Sequence, residues 1–419
     1  MLSEWQQPAG VEMRPPSLSP KLLAHRRHSR ILAAAAVLCV VWLALRGRQG
    51  DNPGSGAGEA QHAPSAAGWS ESYLHKAGDA KLTALLDRTS KASPLMKCTA
   101  DLHIFKLKAD DLERVNDGAK ANRSTLGPLL SGTAHRMPCR HNLSSARASC
   151  CSYPVNFRLG TTDFQVFQQV FQFHYMRYLY TLFADQPPQY VLDAGANAGF
   201  ASSLFKLLWP DATVVSLEPD TSNFELLKAN TKSFKKVHAL NAGLWGHRAN
   251  ITMVMKSSSH GNWGRVFREA QEGEEGMPAY GVQDIADMLD IPAFDFVKID
   301  IEGAEGMVFE PGNDFSWIGK ARAVSLEIHD YFAGYFDLKP NEVSSRVDAA
   351  FNTTGYSLVS DNEHVIFLSP ALRKAVESSA AAVPHTESAA AEQAKQGKKH
   401  KAAEQPQGTQ RAKQSGSGA

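Results

Sequence analysis

The chain has 419 residues, a net charge of +1 at neutral pH and 43% hydrophobic residues. That length holds one large or two medium domains. The balanced charge argues against a general nucleic-acid binder, which carries a marked basic excess, so no nucleic-acid partner is expected. Five cysteines are too few and too scattered for a disulfide scaffold, and none forms a CxxC pair, so no structural metal is expected.

The first element is an uncharged apolar run, 31–45, "ILAAAAVLCVVWLAL". At 1.5 Å per residue it reaches roughly 22 Å, short for a hydrocarbon core of about 30 Å but suited to a thinner early-secretory membrane. Arg14, Lys21, Arg26, Arg27 and Arg30 precede it, against Arg46 and Arg48 after it. The positive-inside rule then keeps segment 1–30 cytosolic and the rest lumenal, as in a single-pass type II anchor of the Golgi. A cleaved signal peptide and an organelle transit peptide are the alternatives. Segment 46–70, rich in Gly, Ala, Pro and Ser, reads as a flexible stalk.

Segment 71–152 carries Cys98, Cys139, Cys150 and Cys151 and a helical pattern near Lys81–Arg88. In an oxidising lumen, Cys98 and Cys139 are available to pair with Cys150 and Cys151. From 153 to 370 the pattern is strong. Asp163 reads as an N-cap, and Phe164, Phe167, Phe171, Tyr175 and Tyr178 follow at helical spacing as a packing face. Strand and helix signals then alternate: "QYVLDAG", "TVVSLEPD", "VHALNAG", "NITMVM", "FDFVKIDIEG" and "ARAVSLEIHDYF" as strands, with a helix near Glu342–Phe351 and a closing hairpin turning at Asp361-Asn362. This predicts an α/β fold, a mostly parallel sheet with helices on both faces and an antiparallel terminal hairpin. Segment 371–419, without an aromatic residue, reads as a disordered basic tail.

Ligands of open α/β sheets bind beyond the carboxyl ends of the strands. "VLDAGANAGF" occupies such an end, with Asp193, Gly195, Asn197 and Gly199. A dinucleotide site wants a second glycine where Asn197 stands, which disfavours an NAD-dependent oxidoreductase. A nucleoside cofactor without phosphates, S-adenosylmethionine above all, fits the turn. Glu218 ends the next strand, where a carboxylate can accept the ribose hydroxyls; capping the helix near Thr221 is its structural alternative. Asp300 and Glu302 of "KIDIEGAE" sit at a strand-to-helix junction, either beside the cofactor or serving the helix dipole. Glu327, His329 and Asp330 end the following strand on the same edge.

The blocks "FRLGTTDFQVFQQVF", "VLDAGANAGFAS", "LEPDTSNFELLKAN", "NAGLWG" and "DFVKIDIEGAEGMVF" together resemble the FkbM family of S-adenosylmethionine-dependent methyltransferases, over about half of the chain. The resemblance implies a class I methyltransferase fold with a seven-stranded sheet whose last strand is antiparallel, and methylation of a hydroxyl, often on a sugar. It places Asp193, Gly195, Asn197 and Gly199 at the methionine end, Glu218 at the ribose and Asn241 near the adenine. Lys298, Asp300 and Glu302 fall near the transferring methyl, with Glu327 close by. Thr162 and Gly243 stand where Ser and Ala are usual. The expectation is a lumenal glycan O-methyltransferase with Asp300 or His329 as base; a non-catalytic scaffold of the same fold is the rival.

Overall fold

The structure, a computed structural model, describes Leu74 and residues 78–93, 103–105, 129–140, 148–158, 161–171, 176–255 and 264–382. The apolar run 31–45, the stalk, and the chain beyond 382 lie outside the described residues. Among the described residues no helix is long and apolar enough to cross a membrane.

Helix α1 (Ala80–Ala92) starts at Asp79, whose Oδ1 accepts from the amides of Lys81 and Leu82 at 3.0 Å, a side-chain N-cap. Its Leu82 and Leu86 are buried in the main core. Three antiparallel strands follow, β1 (His103–Phe105), β2 (Leu129–Arg140) and β3 (Ala148–Arg158), with a register shift between Ala134 and Met137. This sheet was not legible in the sequence. Ala134, Tyr153, Val155 and Phe157 carry it into the same core. Cys150 is disulfide-bonded.

Helix α2 (Asp163–Phe171) buries Phe164, Phe167 and Phe171, so the aromatic stripe is a packing face up to that point. Tyr175 lies outside the described residues, and Tyr178, which is buried, directly precedes the short α3 (Leu179–Leu182). Asp163 is corrected from a cap to the first helical residue. Its carboxylate is taken up by Arg158, through the backbone amide, Nε and a guanidinium nitrogen 2.6 Å away, and both residues are buried.

The remaining elements run in order: β4 (Tyr190–Ala194), α4 (Phe200–Leu208), β5 (Thr213–Leu217), α5 (Thr221–Thr231), β6 (Val237–Leu240), β7 (Gly243–Leu244), β8 (Ala249–Met255), β9 (Val266–Glu269), β10 (Met277–Tyr280), α6 (Val282–Met288), β11 (Phe296–Ile299), α7 (Glu305–Val308), β12 (Ala323–Glu327), α8 (Glu342–Phe351), β13 (Ser357–Asp361), β14 (His364–Leu368) and α9 (Pro370–Ala382). The main sheet has seven strands in the order β13-β14-β12-β11-β4-β5-β6. Neighbours from β12 to β6 pair in parallel, whereas β14 is antiparallel to both β12 and β13. The expected sheet with its antiparallel final strand is present. The "NITMVM" strand is β8, which lies in a separate four-stranded sheet ordered β7-β10-β8-β9.

Alternation along the parallel strands sorts side chains to two apolar layers. Val191, Val214 and Phe296 enter one, where Phe296 meets Phe183, Phe205 and Trp209 at ring distances of 5.5–5.8 Å. Leu192, Val215, Val297 and Ile299 enter the other, with Val282, Ile285 and Val347. The tail reading is corrected at its start. Residues 370–382 are helical, Leu372 and Val376 are buried in the first layer, and Arg373 pairs with Asp79 at 3.0 Å. Leu372 and Val376, four residues apart, fall on one face of this helix and dock it.

Candidate functional site

Strand β4 ends in a turn built on unusual backbone. Gly195, Asn197 and Gly199 have φ of 75°, 49° and 80°, in the left-handed region that glycine tolerates best. The glycines serve the fold itself. A Cβ at Gly195 would lie 1.7 Å from the carbonyl oxygen of Asp300, and one at Gly199 would meet the Leu227 side chain at 2.7 Å. The turn after β4 is thereby pressed against the end of β11 on one side and α5 on the other.

Asp193 lies beneath this turn, not on its surface. It is fully buried, accepts from Ser202 Oγ, and sits 3.5 Å from Lys298 Nζ. Lys298 ties the region together: Nζ donates to the Gly195 carbonyl at 3.0 Å and pairs with Asp300 Oδ2 at 3.0 Å. Burial opposes the Lys298 charge, but Asp300 and Asp193 raise its pKa nonetheless. Breaking such a buried, two-sided pair strands a charge, an effect of about 3–5 kcal/mol.

Glu218 follows β5. Its Oε2 accepts from the Asn197 amide at 2.8 Å and Oε1 from the Asp220 amide at 2.9 Å. The helix cap is Asp220 instead, accepting from the Asn223 amide at 2.9 Å, so the capping alternative for Glu218 falls away. Burial pushes the Glu218 carboxyl up to about 7. Asn241, after β6, donates from Nδ2 to the carbonyls of Glu218 and Pro219 at 2.8 and 3.0 Å, and so props the same crevice. The turn, Glu218 and Asn241 therefore form one connected rim over β4, β5 and β6.

The second half of the edge is acidic. Glu305 is fully buried and staples the turn after β11: Oε1 accepts from the Ile301 amide and Oε2 from the Gly303 amide, each at 2.9 Å. Within that turn Glu302 is held at φ 56°, a conformation non-glycine residues rarely adopt. His329, 2% exposed, follows β12 with Nδ1 2.9 Å from Glu305 Oε1. Its Nε2 points among Glu327 Oε1 at 3.4 Å, Asp300 Oδ1 at 3.9 Å and Glu302 Oε2 at 4.0 Å. Asp300, Glu302 and Glu327 stay partly exposed. Burial favours a neutral His329, yet Tyr331, Glu305 and Glu302 outweigh it and raise its pKa well above the histidine norm. His329 thus gathers carboxylates at both ring nitrogens, an arrangement that favours positive charge beside Nε2. Burial would raise Asp300, but Lys298, His329 and His364 bring it below the ordinary carboxylate range. Burial pushes Glu302 up to about 8.

Residues 193–358 match the profile of the methyltransferase FkbM domain. Over that span the chain is similar to the FkbM methyltransferases. Residues Asp193 to Glu327 of the site, with Asn241, Lys298 and Asp300 among them, all fall inside the matched span. The domain's fold is also similar to solved structures. An O-methyltransferase from Bacillus cereus in complex with S-adenosylhomocysteine aligns over 45% of this chain and 77% of its own at 12% identity, with a TM-score of 0.27. A methyltransferase from Geobacter sulfurreducens aligns over 46% and 76% at 15% identity and TM-score 0.26. The fibrillarin pre-rRNA processing protein of Methanococcus jannaschii aligns over 58% and 94% at 8% identity and TM-score 0.29. No curated protein matches the sequence.

The site residues expected from the sequence converge on one edge of the sheet. Two were missed. Glu305 stood within the quoted "KIDIEGAE" block, where the i, i+3 spacing from Glu302 was a signal left unused. His364 had no such signal. It reaches the site only because β14 runs antiparallel, which sets it opposite Glu327.

Proposed function

We propose that the FkbM domain transfers a methyl group from S-adenosylmethionine to a hydroxyl oxygen. The observation that carries this reading is the junction at Lys298: one ammonium joins the carbonyl of the glycine turn to the carboxylate of Asp300, so the cofactor crevice and the acidic rim adjoin. The residues fit the cofactor by their chemistry. Glu218 holds its carboxylate at the carboxyl end of β5 on the Asn197 and Asp220 amides, and its remaining lone pairs would accept from ribose hydroxyls; Gly195, Asn197 and Gly199 would shape the wall beside the methionine portion, and Asn241 the far side. Bound S-adenosylmethionine supplies an already activated methyl on its sulfonium, so what the protein must add is alignment and proton handling. Asp300 and Glu302 line the partly exposed rim where an acceptor hydroxyl would sit. Asp300 orients that hydroxyl and takes its proton, while Lys298 and His329 hold the carboxylates in place.

The acceptor we propose is a glycan hydroxyl, met in the lumen of the Golgi by a protein anchored through residues 31–45. The disulfide at Cys150 supports an oxidising compartment. Two N-x-S/T sequons, at Asn250 and Asn352, have their asparagines exposed on the folded domain. The test is direct: the full chain incubated with methyl-labelled S-adenosylmethionine and a panel of oligosaccharides should release S-adenosylhomocysteine and label one class of sugar. Cofactor binding without label in any hydroxyl acceptor would discard transfer. Absence of cofactor binding would discard the whole reading. A protein that resists glycosidase and resides in mitochondria or chloroplasts would discard the lumenal assignment.

A further inference from the structure

The structure assigns a divalent-cation site to Asp300, Glu302 and His329, at the rim where the acceptor is received. One ligand atom from each of these three residues falls within a common radius, all separated by less than 4.8 Å. The separations fit an ion at the centre. Carboxylate and imidazole donors lie about 2.0–2.2 Å from a small divalent ion, so donors spread around it stand about 3–4.4 Å apart. The His329 Nε2 atom is 3.9 Å from Asp300 Oδ1 and 4.0 Å from Glu302 Oε2.

Carboxylates alone crowd many protein surfaces. Here a buried imidazole is aimed into them, and it is oriented as ligating histidines are. Its other nitrogen, Nδ1, is fixed on the Glu305 carboxylate at 2.9 Å, the carboxylate–histidine arrangement that sets the ring and its tautomer behind a bound metal. Glu305 does this while stapling the turn that holds Glu302 in its left-handed conformation, so two of the three ligands are positioned by one side chain. Asp300 divides its oxygens likewise. Oδ2 faces Lys298 at 3.0 Å, which leaves Oδ1 toward His329.

A second set, Asp300 with Glu327 and His364, shares one residue with the first. We place the ion in the first set because its imidazole is backed by a carboxylate, Glu305, which also fixes the turn of Glu302, whereas the second set's imidazole is backed by a neutral hydroxyl. His364 is fully buried and its Nδ1 is engaged with Ser325 Oγ at 3.0 Å. The mix of two carboxylate oxygens and one imidazole nitrogen suits Mn²⁺ better than Mg²⁺, which prefers oxygen throughout. An ion there would bind two neighbouring oxygens of an acceptor, as in a vicinal diol, and lower the pKa of the one to be methylated. That role rests on the methyl-transfer reading; the ion site does not.

The full chain, stripped with EDTA, is titrated with Mn²⁺ while the free ion is followed by electron paramagnetic resonance, and S-adenosylmethionine binding is measured in parallel. One saturable Mn²⁺ per chain is expected, weakened at least 10-fold in Glu302→Gln and in Asp300→Asn and less than about twofold in Glu327→Gln, ligand losses being at least as severe as the 10–100-fold typical of outer-shell partners. Glu302→Gln sits on the partly exposed rim, and its circular dichroism should match the parent. No saturable Mn²⁺ in the parent chain, or parental affinity in Glu302→Gln, overturns the site. Loss in Glu327→Gln with none in Glu302→Gln moves the ion to the second set and overturns it equally. Cofactor binding without Mn²⁺ sinks the ion site alone, whereas Mn²⁺ binding without cofactor binding sinks the methyl-transfer reading alone.

Discussion

The two halves of the sheet's carboxyl edge solve the same problem in opposite ways. Over β4 and β5, the buried carboxylate of Glu218 is satisfied by backbone amides, those of Asn197 and Asp220. Over β11 and β12, carboxylates face one another around a single imidazole and a single ammonium. Amide donors are fixed and uncharged, so they hold a shape suited to binding a constant molecule. Clustered charges respond to whatever proton or cation arrives, which suits a place where a proton must leave an acceptor. Under the proposed function, the contrast separates a holding half from a reacting half, with Lys298 joined to both.

That division can be broken by experiment. The largest expected effect is on the reacting half: Asp300→Asn should lower turnover by about 10²–10⁴-fold while leaving cofactor affinity within a few-fold of the parent. If calorimetry instead shows cofactor affinity falling with turnover, Asp300 belongs to the holding half and the division fails. Next is the seam between the halves. Gly195→Ala would drive a Cβ into the Asp300 carbonyl at φ 75°, and urea titration should show a loss of about 3 kcal/mol, at the upper end of overpacking effects. Gly273→Ala, with φ 83° and nothing within 4 Å of the added methyl, isolates the backbone term and should lose only about 1 kcal/mol. Equal losses would mean that the seam is not tightly packed.

In the holding half, Glu218→Ala should weaken S-adenosylmethionine by roughly 1.5–3 kcal/mol through loss of charge-assisted hydrogen bonds. Unchanged affinity in a folded variant removes the ribose assignment. The smallest effect is on the pH profile of stability. Burial raises the Glu218 carboxyl from an ordinary 4.5 to about 7. The folded state therefore holds that proton more tightly, and the stability it contributes, complete below about 4.5, is lost as the pH rises through about 7. Thermal melts of the parent should drop across this window more steeply than those of Glu218→Gln, and parallel profiles would show that Glu218 does not titrate there.

The holding half was the more legible in the sequence. Its residues are local: a glycine-spaced turn and an acid at the end of the next strand follow β–α periodicity, and chain order alone sets them side by side. The reacting half was legible as a list of residues and not as a relationship. Asp300, Glu302, Glu327 and His329 were recognisable, but a lone histidine at a strand end reads equally as a base, and only the fold shows the four carboxylates around its ring. His364 arrives through the antiparallel pairing of β14, a long-range contact that no local pattern encodes. The sheet of β1 to β3 escaped detection because its strands, broken by a register shift, lack a clean alternation. At the start of the tail the composition is that of a disordered segment, and only the four-residue spacing of Leu372 and Val376 marks a helix with a buried face.

The meeting of α1 with α9 bears on how the protein is made. Arg373 reaches Asp79, whose amide in turn donates to the Leu358 carbonyl at 2.7 Å, and Leu82, Leu86, Leu372 and Val376 share one apolar layer. A helix that precedes the main sheet in sequence thus closes on one that follows it. While the polypeptide emerges from the ribosome, Leu82 and Leu86 have no finished layer to enter, and they stay accessible to chaperones until the final hairpin and helix are released. Docking of α1 therefore depends on α9, so a stop codon placed before Pro370 should leave Leu82 and Leu86 exposed in a product that the cell's quality control treats as unfinished.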